Sequence, residues 1–103
     1  MPDRLAHNVF FKLTDASAAK VTELVEACKK YLNIQPGIVF FAAGRLCADL
    51  DRPVNDRDWD VGLHLVFVDK AAHDAYQDDA MHVRFVEENK PTWAAVKVFD
   101  SLV

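Results

Sequence analysis

Apolar and polar positions alternate over His7–Leu13, with His7, Val9, Phe11 and Leu13 on one parity and Asn8, Phe10 and Lys12 on the other. A period of two predicts a strand with one face inward. Thr14-Asp15 then brings the short side-chain oxygens that cap a helix. From Ser17 the apolar residues Val21, Leu24, Val25, Cys28, Tyr31 and Leu32 recur at three- and four-residue steps, which predicts an amphipathic helix. It ends near Asn33, because Pro36-Gly37 cannot continue it. Ile38–Ala43 is an unbroken apolar run closed by Gly44 and reads as a buried strand. The polar stretch Ala48–Asp60 reads as a loop and the ragged start of a hairpin, and Val61–Val68 as a third strand. Asp69-Lys70 opens a helical region in two pieces, Ala71–Asp78 and Met81–Asn89, broken at Asp78-Asp79. After an interruption at Pro91, Val96–Leu102 closes the chain as a fourth strand.

Strand, helix, strand, strand, helix, strand is the order of the α+β, ferredoxin-like β-α-β-β-α-β arrangement, a four-stranded antiparallel sheet with its helices on one face. The other face of such a sheet ordinarily turns polar. Here the second strand offers Ile38, Phe40 and Ala42 on one parity and Val39, Phe41 and Ala43 on the other. Phe10, Val66, Val68 and either Val98 or Phe99 add to the excess. A sheet apolar on both faces needs a second molecule over the bare one, so the expected assembly is a homodimer joined sheet to sheet, a dimeric α+β barrel.

Composition sharpens this picture. The chain has 103 residues, 51% of them hydrophobic, which fits a single folded domain over 1–103 and excludes disorder. Its net charge of −4 supplies no surplus to neutralise phosphates, so neither nucleic acid nor an anionic membrane is an expected partner. No apolar run approaches the length of a spanning helix, and Met1-Pro2-Asp3-Arg4 lacks a signal-peptide pattern, so a cytoplasmic location is expected. Cys28 and Cys47 read as packing residues rather than nucleophiles.

Three side chains carry candidate chemistry. His82 lies at the start of a helical piece among Val83, Phe85 and Val86. An imidazole partly enclosed by apolar groups suits a general base, and equally a structural histidine that pins the helix break. Tyr76 is either a core tyrosine or a pocket phenol. His7 shares the inward parity, where its ring needs a partner: a ligand, a water or His82. His64 has the opposite parity and should face the partner subunit, and His73 should sit at the solvent edge of its helix. No metal is expected. The histidines form no i, i+4 pair, and the calcium-like spacing of Asp49, Asp51 and Asp60 is spoiled by Pro53 and Val54. No Gly-rich phosphate loop implies a nucleotide, so no cofactor is expected.

Leu65–Tyr76 (LVFVDKAAHDAY), Met81–Val86 (MHVRFV) and His7–Leu13 (HNVFFKL) together resemble the Dabb family, the stress-responsive dimeric α+β barrel domains. In that family a strand ends in Phe, a helix ends in Tyr, and a His follows six residues later. Phe67, Tyr76 and His82 match, and the resemblance covers nearly the whole chain. It implies ferredoxin-like subunits whose sheets pair into a barrel. Members range from plant stress-related proteins to a polyketide cyclase. In that cyclase the His matching His82 abstracts a proton beside a carbonyl, and the Tyr matching Tyr76 holds the developing oxyanion. The resemblance therefore implies His82 and Tyr76 as catalytic residues, with His7, Val9, Phe11, Val61, Leu63 and Phe85 binding the substrate. Val61 stands where the cyclase has a further pocket His, which weakens transfer of its substrate and reaction. Two function classes stay open. One is a cofactor-free cyclase, lyase or isomerase acting on a carbonyl compound; the other is a non-catalytic stress-related dimer that binds a small apolar ligand. A third group sharing the barrel, the cofactor-free or haem-handling oxygenases, finds no haem ligand signalled here.

Overall fold

The computed structural model describes residues 3–103; Met1 and Pro2, the start of the segment read for a leader, lie outside the described residues. The chain runs β1 (Leu5–Leu13), α1 (Ala18–Leu32), β2 (Ile38–Arg45), β3 (Val61–Phe67), α2 (Lys70–Asp78), α3 (Ala80–Asn89), a 3₁₀ turn (Lys90–Thr92) and β4 (Trp93–Leu102). The four strands form one antiparallel sheet in the order β2-β3-β1-β4. This is the ferredoxin-like α+β fold, with its three helices packed on one face. Among the described residues no helix is long and apolar enough to cross a membrane.

Local chemistry sets the boundaries. The cap of α1 is Ser17, whose Oγ accepts the Lys20 N–H, rather than Thr14-Asp15; Asp15 instead accepts the Ser17 N–H and shapes the turn before the helix. Lys29 and Lys30 occupy the last turn of α1, where positive charge suits the helix dipole. Asp69 caps α2 through the Ala72 N–H, and Asp79 caps α3 through the Met81 N–H. Asp79 is also the extended residue that ends α2, so one residue makes the expected break. Pro91 is absorbed in the 3₁₀ turn, which lets β4 start at Trp93, three residues before the predicted Val96. Val68 lies just outside β3.

The sheet's two faces differ from a simple parity count in one strand. The register slips within β2, so Ile38 pairs with Phe67 while Phe40 pairs with Val66 and Phe41 with Leu65. The irregularity puts Ile38 and Phe40, which share a parity, on opposite faces. Ile38, Phe41 and Ala43 pack on the helical core; Phe40 and Ala42 turn to the bare side with Val66 and His64. In β4, Val98 pairs with inward-facing Val9 and Phe99 with Asn8, so Phe99 belongs to the bare face and Val98 does not.

The core lies between sheet and helices: Val9, Phe11 and Leu13 of β1; Leu63, Leu65 and Phe67 of β3; Leu24, Cys28 and Leu32 of α1; and Tyr76 and Phe85. On the other side the Phe10 ring touches Trp59 and Phe99 at 4.9 and 5.9 Å, while Phe40 and Phe99 remain 54% and 57% exposed. Lys12 pairs with Asp58 and Lys97 with Asp56, fastening the acidic loop to the end of the sheet.

The turn into β2 depends on Gly37. Its φ is +86°, and a Cβ there would lie 2.6 Å from the Ala72 Cβ. Gly37→Ala should destabilise the fold by about 1–3 kcal/mol in urea denaturation, whereas Gly44→Ala, with nothing within 4 Å of its Cβ, should shift it by no more than about 0.5 kcal/mol. Equal effects at the two positions would contradict this account of the turn.

Candidate functional site

The antiparallel register decides what His7 meets. It lies between Leu65 on β3 and Asp100 on β4, and its Nδ1 is 2.5 Å from Asp100 Oδ1. A carboxylate accepts at that nitrogen, so in neutral His7 the proton sits on Nδ1 and Nε2 keeps its lone pair. The partner that His7 needed is thus Asp100, not His82. Sequence reasoning missed Asp100. Its signal was a parity shared with Val96 and Val98, meaningful only once β4 is set against β1.

His73 also departs from expectation. It is not a solvent-edge residue: its side chain is only 16% exposed, with its ring 4.9 Å from that of His7 and 5.6 Å from Phe67. The reason is helical spacing, which puts residues 73 and 76 on neighbouring turns of α2 facing the sheet. His73 Nδ1 lies 3.1 Å from Asp74 Oδ1, and the Gln77 amide contacts its Nε2.

Tyr76 is buried, with its ring 5.1 Å from Phe67, 6.1 Å from His7 and 4.6 Å from His82. Burial pushes its hydroxyl well above the usual phenol range, so it stays protonated. Trp93 Nε1 is the only fully enclosed side-chain polar atom without a hydrogen bond among the described residues. The half-buried His82 lies in the first turn of α3. Burial lowers its pKa below the ordinary 6.5, and His7 and His73 push the same way against the Gln77 carbonyl and Asp79. His7 is lowered too, by burial above all and despite Asp100. Both imidazoles are therefore neutral at pH 7.

These groups line a cavity of about 150 Å³ between the sheet and α2–α3, roughly the volume that holds a benzene-sized guest. His7, Val9, Phe11, Leu63, Tyr76, His82 and Phe85 all face it. Val61 does not. It is completely buried, paired across to Phe11 and Arg45, so inward parity here means core rather than access. Sequence reasoning passed over Leu32, Gln77, Val86 and Trp93, and the β4 residues Val96 and Val98, whose exposure leaves that wall open.

Elsewhere the candidates separate from the cavity. His64 lies on the bare face, its Nδ1 2.8 Å from Asn8 Oδ1. Cys28 is a packing residue whose thiol burial pushes up to about 12. Asp60 accepts the Leu13 N–H and Asp51 pairs with Arg57, which accounts for part of the acidic loop. Among the described residues, one group of three has metal-ligating side chains close together: His7, His73 and Asp100.

Comparison with known proteins follows the same lines. A Dabb family protein of ferredoxin-like fold from Mesorhizobium loti is 26% identical, with a TM-score of 0.81 over 98% of this chain and 97% of its own. A dimeric ferredoxin-like protein of unknown function from Thermobifida fusca superposes with a TM-score of 0.80 at 17% identity, covering 100% and 93%. A hydroxynitrile lyase from Passiflora edulis does so at 0.78 and 19%, covering 100% and 95%. No curated protein sequence matches the chain significantly. The model of the stress-responsive A/B barrel domain, Dabb, matches residues 5–103, and the chain belongs to that family.

Proposed function

We propose that this chain is a homodimeric, cofactor-free lyase, cyclase or isomerase that removes a proton from a small carbonyl compound or its adduct. The observation that carries the proposal is the pairing of a neutral imidazole with a protonated phenol, ring to ring at 4.6 Å, on the wall of one small apolar cavity. His82 takes the proton. From a carbonyl compound the proton leaves carbon and the electron pair moves onto the carbonyl oxygen, an oxyanion to which the Tyr76 O–H donates. From a hydroxynitrile the proton leaves the hydroxyl, its electron pair forms the C=O bond, and the C–C bond breaks to release cyanide, which takes the proton back from the imidazolium. Burial serves both roles: it keeps His82 unprotonated and Tyr76 protonated at the same pH. His7, held by Asp100, forms the polar wall opposite, and Val9, Phe11, Leu63 and Phe85 shape the apolar remainder. The hydroxynitrile lyase of the same fold acts, by its name, on a substrate class that this chemistry would serve.

The exposed Phe40 and Phe99 support a second copy packed on the bare face, as does the dimeric state of the Thermobifida protein. The free Cys28 and Cys47 fit a reducing, cytoplasmic setting. A second reading, a stress-related dimer that holds a small ligand without turning it over, is favoured by Val61, the buried residue where the cyclase has a histidine.

Deuterium exchange of acidic C–H protons in a panel of small aryl and alkyl ketones, with cleavage of hydroxynitriles, tests the chemistry. The wild type should catalyse one of these reactions. His82→Ala should lower the rate by about 10²–10⁴-fold while keeping its melting temperature and a dimer mass of about 23 kDa, twice the 11.6 kDa chain. An inactive wild type, or full activity in His82→Ala, would favour the binding reading.

A pH dependence follows from the same burial. The folded pKa values of His7, His64 and His82 lie below the ordinary 6.5 that they regain on unfolding. Stability from these groups is complete above that value and is lost as pH falls through the folded pKa values, since the unfolded chain binds protons first. Urea denaturation at about pH 5.5 should therefore give a lower midpoint than at about pH 7.5, a window above the carboxylates. His82→Gln should narrow the gap; an unchanged or higher midpoint at the lower pH would contradict the account.

A further inference from the structure

We propose that His7, His73 and Asp100 form a binding site for a first-row divalent cation, best matched by zinc. Their donor atoms all lie within 4.8 Å of one another, although the residues come from β1, α2 and β4. Two imidazoles and a carboxylate form a nitrogen-rich donor set of the kind zinc takes, unlike the all-oxygen sets of calcium and magnesium. Zinc bonds of about 2.0–2.2 Å place tetrahedral donors roughly 3.4 Å apart. The cation must therefore spread the His7–Asp100 pair, now 2.5 Å apart, by about an ångström and draw in the donors that lie up to 4.8 Å apart. Both movements are within reach of side-chain rotation, because Asp100 is 44% exposed and only His7 is firmly buried.

The surroundings already orient the ligands. His73 Nδ1 faces the Asp74 carboxylate at 3.1 Å, which places its proton there and leaves Nε2 with a lone pair that accepts a long, 3.4 Å contact from the Gln77 amide, a contact the cation replaces. A carboxylate behind a ligating histidine is the usual outer support of a zinc site. Between His7 and Asp100 the cation takes the place of the bridging proton, and the imidazole carries that proton on its other nitrogen. Three protein ligands leave a fourth position for water or a small anion, the pattern of open rather than structural zinc sites. The position adjoins the cavity, since His7 lines it. The spacing along the chain hid this set, because no two of its members share an element. The site does not depend on His82 acting as a base, and the proton transfer proposed for His82 and Tyr76 needs no ion.

The test uses the whole protein, stripped with chelator and titrated with Zn²⁺ by calorimetry and with Co²⁺ by visible absorption. One ion per chain should bind. His73→Ala and Asp100→Asn should each weaken it by at least about 10-fold and alter the Co²⁺ spectrum, while His64→Ala, on the opposite face, should change neither. Asp100→Asn keeps the side chain's shape at a half-exposed position, so it reads the site even if His73→Ala lowers the melting temperature. Absence of binding would overturn the proposal, and so would equal affinity in wild type, His73→Ala and Asp100→Asn, which would place the ion elsewhere.

Discussion

One constraint organises this molecule: a four-stranded sheet carries apolar side chains on both faces, but its helices cover only one. On the helical side α1 packs against β2 and β3, the strands at one side of the sheet, while α2 and α3 reach toward β1. The wall formed by Val96 and Val98 on edge strand β4 is left open, and there the cavity lies. On the other side the same strands present Phe10, Phe40, Val66 and Phe99 with only Trp59 and the acidic loop nearby. Covering one such large apolar side chain is worth about 1.5–3 kcal/mol. A second copy of the same sheet, the occupant proposed here, would supply the matching surface by symmetry.

The chemistry of the site follows from that helical cover. Enclosure by Phe67, Phe85 and Leu63 strips water from groups that would otherwise titrate near their ordinary values. The His82 imidazole is held neutral and the Tyr76 phenol is held protonated by one physical cause, burial. Asp100 adds a different element. It reaches His7 from the half-exposed edge strand and fixes which ring nitrogen carries the proton, so the inward end of β1 is polar without being unpaired. A carboxylate and two imidazoles on three elements are also what gives this corner its capacity for a cation.

Much of this was legible in the sequence, for identifiable reasons. Periodicity placed β1 and α1, an unbroken apolar run placed β2, and cap and breaker residues placed α2 and α3, while the parity of His7, Val9 and Phe11 put them in the pocket wall. Tyr76 and His82 were legible as a pair through the family resemblance, and they flank a break that a single residue, Asp79, creates. What was hidden depended on register. The irregularity around Val39 sends Ile38 and Phe40 to opposite faces, and no count of alternation reveals it. Asp100 and His73 meet His7 only after β4 and α2 are laid against β1. Val61 shows the converse: its parity was right, yet its neighbours close over it.

The claim on which the account turns is that the bare sheet face is covered by a second copy of the chain. Isotope-filtered nuclear Overhauser spectra on an equal mixture of labelled and unlabelled protein read this directly. The account predicts intermolecular cross-peaks from the Phe40 and Phe99 rings to side chains of the facing sheet. Their absence, or cross-peaks confined to the outer surface of α1, would contradict it.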